Sequence, residues 1–449
     1  MTSTQTKKIN HHYLGMLAMV AMVAAMLLTA TPSYASTAFT VDSNGDASDA
    51  SSFDSSCRTV SGTCTLRAAI EQANATAGVD TIRFGMTTGG SPAIIAPNSA
   101  LPSITDTVTI DGYTQPGASP NTLAKGTNAV LKVELDGINA GFSDGLKISG
   151  GGAGSIIKGL VINNFNGDGI SVEEGSDFDR IEGNFIGTDT SGTVAKKNPG
   201  DGVIILHASN TTVGGNSPAA RNLISGNGDS GVLVLGSSGS KVLGNLIGTR
   251  MSGKTALGNG SNGVGLFDGS NSSISSNTIA FNDLQGVRIN ASSGPSGPNP
   301  NTANGNLIVG NSIFSNGFLG IDLRGGTQNA QDATANDPGD ADTGPNGLQN
   351  KPVVTSAKTV SGKTTIKGTL NSVPNKTFNV QLFSNPSGTN EGKTFVGQAG
   401  VKTDASGNAT FAFTPTTPVT VGRTITATAT DSLVSNTSEF SVAKGVVAG

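Results

Sequence analysis

Gly183–Asn198 reads GNFIGTDTSGTVAKKN, and 61 residues later Gly244–Asn259 reads GNLIGTRMSGKTALGN. Each copy opens on Gly-Asn, enters a short apolar run and leaves through Gly-Thr into a polar stretch. Other rows keep step with this repeat. A polar residue, a glycine and an aliphatic residue recur at Asp144-Gly145-Leu146, Asp168-Gly169-Ile170, Asp201-Gly202-Val203, Ser230-Gly231-Val232, Asn262-Gly263-Val264 and Gln285-Gly286-Val287. A seventh copy, Leu319-Gly320-Ile321, breaks the polar rule. The glycine-to-glycine steps are 24, 33, 29, 32, 23 and 34 residues. Ile162, Ile186, Ile224, Ile247, Ile279 and Ile313 form a third row, with steps of 24, 38, 23, 32 and 34. A short coil therefore takes about 23 residues, and longer coils carry loops, expected at Thr188–Asn198 and Gly214–Arg221.

Such a period, with a turn glycine before each strand, marks a chain wound into stacked coils. The apolar runs are short, rich in Val and Ile, and bounded by Gly, Asn, Ser and Asp, so they read as strands rather than helices. An antiparallel sandwich would repeat its turns every ~8–12 residues without fixed rows at coil length. A parallel β-helix fits, because it lays equivalent side chains over one another at about 4.8 Å.

The first 35 residues carry the features of an export signal: Lys7 and Lys8, the apolar stretch Met16–Leu28, and a small-residue cleavage site at Ser33-Tyr34-Ala35. The apolar stretch is too short for a stable membrane anchor, so no membrane insertion is expected after cleavage. Removal leaves 25 basic against 31 acidic residues, a balance of −6. That balance argues against nucleic acid or anionic membrane as partner. The chain has 63 glycines and no tryptophan, as expected of a narrow column of stacked Ile, Val and Leu rather than a broad core. Cys57 and Cys64 are the only cysteines, and an oxidising compartment would join them.

Thr65–Ala77 has helical spacing, with Leu66, Ala69, Ile70 and Ala73 on one face and Arg67, Glu71 and Gln72 on the other. A helix there would cover the open end of the column. The run Cys64-Thr65-Leu66-Arg67-Ala68-Ala69-Ile70 resembles the CSLREA motif at the head of exported bacterial right-handed β-helix proteins, with Thr65 and Ala68 departing from the consensus. Ile104-Thr105, Val108–Gly112 and Thr114–Gly117 resemble the segments that follow it. The resemblance implies a pectin-lyase-like solenoid and an immunoglobulin-like C-terminal domain. The expected organisation is a signal peptide (1–35), an N-terminal cap (36–90), a right-handed parallel β-helix (91–335), a polar junction (336–351) and an antiparallel β-sandwich (352–445). Sandwich strands are expected at Thr364–Leu370, Thr377–Phe383, Lys393–Gln398, Ala409–Thr414, Thr424–Thr430 and Ser438–Val442.

Two acidic features could carry chemistry. Asp144, Asp168 and Asp201 occupy equivalent positions on successive coils, where stacked carboxylates would lie roughly 5 Å apart. Such a column would raise a pKa, attract a cation or suit a retaining glycosidase pair. Ser230 and Asn262 at the next positions favour a turn role instead. In the junction, Asp337, Asp340, Asp342 and Asn346 alternate as in calcium-binding loops, without the late Glu of an EF-hand. Calcium is the one cofactor these residues suggest. His207 is the only histidine after the signal segment and sits in a strand without a recognisable catalytic context. The expected function is a secreted or cell-surface β-helix that binds polysaccharide or cell-surface glycan without cleaving it. The alternative is a polysaccharide lyase or glycoside hydrolase of the pectin-lyase-like group.

Overall fold

The computed structural model describes residues 36–291, 293–294, 297–298, 303–324 and 332–449; the expected export segment lies outside them. Three parallel sheets run the length of the coiled part. Sheet A has nine strands, from Ala38–Val41 to Leu307–Val309. Sheet B has eight, from Ala93–Ile95 to Ser312–Phe314. Sheet C has seven, from Leu146–Ile148 to Ile321–Arg324. Each regular coil passes from C to A to B before rising to the next coil.

The register explains the rows in the sequence. Ile162, Ile186, Ile224, Ile247, Ile279 and Ile313 pair coil over coil in sheet B and are all buried. Val203, Val232, Val264, Val287 and Ile321 do the same in sheet C. The recurring glycine lies at the corner between sheets B and C, and its backbone is ordinary rather than left-handed. Crowding is what demands it. A Cβ on Gly202 would sit 2.4 Å from Ile224 Cγ2 and 2.6 Å from the carbonyl oxygen of Gly231. Gly145, Gly169, Gly231, Gly263 and Gly286 would meet their own isoleucine methyls at 2.3–2.6 Å.

Two asparagine ladders fasten the corners. Asn198, Asn227, Asn259, Asn282 and Asn316 each donate Nδ2–H to the Oδ1 of the next, at 2.9–3.0 Å. Asn184, Asn222, Asn245, Asn277 and Asn311 form a second ladder at 2.9–3.3 Å on the corner between sheets A and B. Each amide also bonds corner backbone: Asn198 accepts the Phe165 N–H and donates to the Ile162 carbonyl, which also takes the Gly187 N–H. The expected loop at Thr188–Asn198 and its copy at Thr249–Asn259 are closed by matching bridges, Thr188 to Ala195 and Thr249 to Ala256.

Parallel pairing begins earlier than the repeat suggests, because Ala38–Val41 and Asp80–Phe84 already form the first two rungs of sheet A. Helix α1, Leu66–Ala75, packs against both, with the Thr65 hydroxyl accepting the Ala68 N–H as N-cap. Leu66, Ala69, Ile70 and Ala73 face the column as expected. Arg67 and Gln72, on the opposite face, are buried too. The Arg67 guanidinium pairs with Asp46 at 2.9 Å and donates to the carbonyls of Ser99 and Ala100, which is why it tolerates burial. Cys57 and Cys64 form a disulfide beside this helix.

The C-terminal part forms two four-stranded, mainly antiparallel sheets around a separate apolar core. Val353–Val360 adds a strand that the sequence reading missed. The expected strand Ser438–Val442 is irregular, since the Ser438 and Ser441 hydroxyls accept the Ala429 and Ala427 N–H groups in place of a regular ladder. This module closes all three coil sheets. Thr437 Oγ1 accepts from Ile308 in sheet A, Gly392 pairs with Ile313 of sheet B, and Glu439 accepts from Leu323 in sheet C. Glu391 ends the first asparagine ladder by accepting from Asn316 Nδ2 at 3.1 Å and from the Ser315 and Asn316 N–H groups. Phe440 covers Gly320, the last member of the glycine row.

Glu391→Ala should therefore lower stability by about 1–3 kcal/mol, because buried donors lose their acceptor. Gly202→Ala should cost a similar ~1–3 kcal/mol through overpacking. Gly400→Ala, where a Cβ meets nothing within 4 Å, should stay within about 0.5 kcal/mol of the parent. Urea unfolding of the three variants checks all of these.

Candidate functional site

The structure stacks Asp144, Asp168 and Asp201 on successive coils, at the turn that enters sheet C. Asp144 Oδ1 accepts the Asp168 N–H at 2.8 Å, Asp168 Oδ1 the Asp201 N–H at 2.6 Å, and Asp201 Oδ1 the Ser230 N–H at 2.8 Å. Gly167 and Gly200 press on the first two carboxylates, since a Cβ on either would lie 2.3 Å from Oδ1. The column thus fastens turns to one another, and each carboxylate commits one oxygen to the coil above. Burial and the Asp144 and Asp229 charges push Asp168 up to about 6. Burial, then the charges of Asp229 and Asp168, pushes Asp201 up to about 8.

A second group of residues, not anticipated from sequence, lies on the outer face of sheet C. Register places Ile204, Leu233, Gly265, Arg288 and Asp322 in one outward row, and Leu206, Leu235, Phe267, Asn290 and Arg324 in the next. Ile204, Leu206, Leu233, Leu235 and Phe267 are half-buried, which makes an apolar strip on the outside of the coil. The Lys147–Glu173 ion pair, at 2.6 Å, flanks it on one side. On the other, the Arg288 guanidinium lies 5.2 Å from the Phe267 ring centroid. Asp322, only 2 % exposed, accepts from Gln285 Nε2 at 2.9 Å. Burial and the Glu439 charge raise Asp322 to about 6 against the opposing pull of Arg288 and Arg324. Arg288 Nε is buried without a hydrogen-bond partner. The chemistry on offer is one protonatable carboxyl, two guanidinium groups and an apolar shelf. His207 sits at the end of its sheet C strand, exposed and left-handed, with its ring against Gly236.

The junction brings Asp337, Asp340 and Asp342 together, with one carboxylate oxygen from each within 4.8 Å of the others. Asp340 is held by Gln349, Asn350 and Ser372. Asp337 Oδ1 and Asp342 Oδ1 are buried atoms with no partner. Asn346 does not join them. It is fully buried, accepts the Asn306 N–H, and donates to the carbonyls of Asn306 and Thr437. Its place in the alternating pattern is overridden by the need to close the end of the coil.

The sheet C face escaped the sequence reading because its members are spread over five coils. The available signal was the second residue after each row glycine: Ile204, Leu233, Gly265, Arg288 and Asp322 follow from the glycine spacing once strand alternation is applied.

The folded form holds the Asp201 proton more tightly than the unfolded chain between its ordinary 3.8 and about 8. Its stabilising share is therefore fully present below 3.8 and lost as pH rises through about 8. The melting temperature should fall from pH 5 to pH 8.5. Asp201→Asn, which keeps the acceptor for Ser230, should flatten that fall and gain about 1–3 kcal/mol at pH 8.5. A variant less stable than the parent at both pH values would contradict this.

A family model described as "Right handed beta helix region" matches residues 138–331. No curated protein matches the chain in sequence. Among solved structures, the periplasmic alginate epimerase AlgG aligns at 14% identity and TM-score 0.28, covering 54% of this chain and 47% of that one. The chain thus spans about half the length of that epimerase. Tailspike protein 2 of Escherichia coli O157:H7 bacteriophage CAB120 aligns at 12% identity and TM-score 0.29, covering 80% of this chain and 63% of that one. The Azotobacter vinelandii mannuronan C-5 epimerase AlgE4 A-module aligns at 16% identity and TM-score 0.26, covering 57% and 86%. The family match and the three parallel sheets together make the coiled part of this chain a right-handed parallel β-helix.

Proposed function

We propose that the protein is an extracellular glycan-binding rod that holds its ligand along the outer face of sheet C without cleaving it. The observation that carries this reading is the half-exposed apolar strip from Ile204 to Phe267, ended by Arg288 and Asp322. Sugar rings are amphiphilic: their C–H faces rest on apolar side chains while hydroxyls bond to charged ones. A strip one strand wide that crosses coils at about 4.8 Å each suits an extended chain. The Cys57–Cys64 disulfide fits an oxidising compartment. On the coil before Asp322, register offers Arg288, and on the one before that Gly265, so the row supplies one carboxyl rather than a pair.

The junction supports a second, subsidiary role. Calcium takes six to eight oxygens, and the two unpartnered oxygens of Asp337 and Asp342 beside Asp340 would supply part of such a shell, water the rest. That donor set suits weak binding, with a Kd on the order of 10⁻⁴–10⁻³ M. Millimolar calcium should raise the melting temperature of the parent and not that of Asp342→Asn; equal responses would remove the site.

For the main reading, glycan-array screening should find ligands whose affinity drops roughly tenfold, about 1.4 kcal/mol, in Phe267→Ala. The same ligands should show no new reducing ends or unsaturated products on prolonged incubation. Product formation abolished by Asp322→Ala would replace the binding role with a polysaccharide-cleaving one.

A further inference from the structure

On a different side of the molecule, a groove of about 570 Å³ runs across the corner between sheets A and B. The turn around Lys125, the loop around Lys254 and the strand entry at Lys393 wall it, and Arg221 lies in its floor. A second hollow of about 470 Å³ lies in the C-terminal module, with Arg423 on its wall. The two meet at Thr394 and Phe395, which line both. Five cationic residues therefore line two neighbouring hollows that share Thr394 and Phe395, and neither lining includes Asp or Glu, in a chain with 31 acidic residues against 27 basic.

Among the described residues none of these five cations forms an ion pair. Two of them are held in place by neutral groups. Arg221 donates to the carbonyls of Leu123, Ala124, Gly126 and Gly244, which uses four of its five N–H groups and leaves its charge uncompensated. Arg423 is fixed by the hydroxyl and carbonyl of Ser384. Lys393 rests with Nζ 4.2 Å from the Phe314 ring centroid. The nearby Glu391 carboxylate is turned away onto Ser315 and Asn316. Phe395, 44 % exposed, offers an aromatic face where the two halves of the cleft join.

We propose that this cleft binds an acidic polysaccharide, laid from the coil corner across Phe395 into the C-terminal module. The proposal rests on the glycan-binding reading but uses a separate surface, and it adds the charge class of the ligand. Cations that form no ion pair select anionic groups, and the aromatic face takes the C–H side of a sugar ring. A nucleic acid would meet the same cations, so single-stranded DNA is one arm of the test.

The test is affinity electrophoresis of the full chain in gels containing polygalacturonate, a sulfated dextran, neutral dextran or single-stranded DNA. The expected result is retardation by one or both acidic glycans, weakened at least tenfold in Lys254→Glu/Lys393→Glu. Lys363→Glu/Lys402→Glu, an equal charge change outside the cleft, should be retarded like the parent. The uronate and sulfate arms decide which anion is preferred. Unchanged retardation of the cleft variant overturns this proposal and leaves the glycan-binding reading standing. Binding to neutral dextran alone does the same. No retardation by any glycan sinks both, and tighter binding to DNA through the same lysines reassigns the cleft. Thermal unfolding checks that the charge-reversal variant is folded; if it is not, Lys254→Ala is compared instead.

Discussion

Every coil of this protein must match the coil beneath it atom for atom at the corner between sheets B and C. There the recurring glycine touches the next coil's backbone carbonyl and an isoleucine methyl at once, leaving no room for even one carbon. The asparagine beside it bonds its counterpart in the next coil and the corner backbone together. The rows of Ile and Val inside, and the column of acids outside, follow from that register. Shift one coil by a residue and the inward set turns outward, while the ladders lose their partners together.

A stack of this kind solves the interior and leaves two exposed ends. The N-terminal end is covered by α1, whose buried Arg67 is made tolerable by Asp46 and two carbonyls. The C-terminal end uses a whole antiparallel module. Glu391 and Glu439 act there as acceptors for N–H groups that another coil would have satisfied. Burial raises the pKa of both carboxyls, opposed by those hydrogen bonds and by Lys393 and Lys351 respectively. Both ends thus bury charged side chains, while the two ladders at the corners between use neutral amides.

The coils were readable because a repeat announces itself: the glycine and isoleucine rows, with their steps of 23 to 38 residues, gave both coil length and loop positions. The helix was readable from its apolar face, but the burial of Arg67 and Gln72 on the other face was not, because helical spacing says nothing of what packs over it. The Asp column was found, yet its turn-fastening bonds depend on the coil above and not on local sequence. Asn346 was drawn into the junction pattern by spacing alone, whereas the coil end claims its amide. The sheet C face and the cationic cleft were invisible because their residues come from many coils, and in the cleft from two modules.

The closing module also sets an order in time. Its Gly392, Thr437 and Glu439 are synthesised after the coils, yet they complete strands laid down more than seventy residues earlier. While a chain emerges from its N-terminus, the coils can add one upon another from α1 onward, and the newest coil always presents unpaired backbone. Only the C-terminal module ends that state. The rod is therefore finished as a zip is finished, by a stop at its far end, and a chain interrupted before that stop would be a nearly complete fold that remains open to its neighbours.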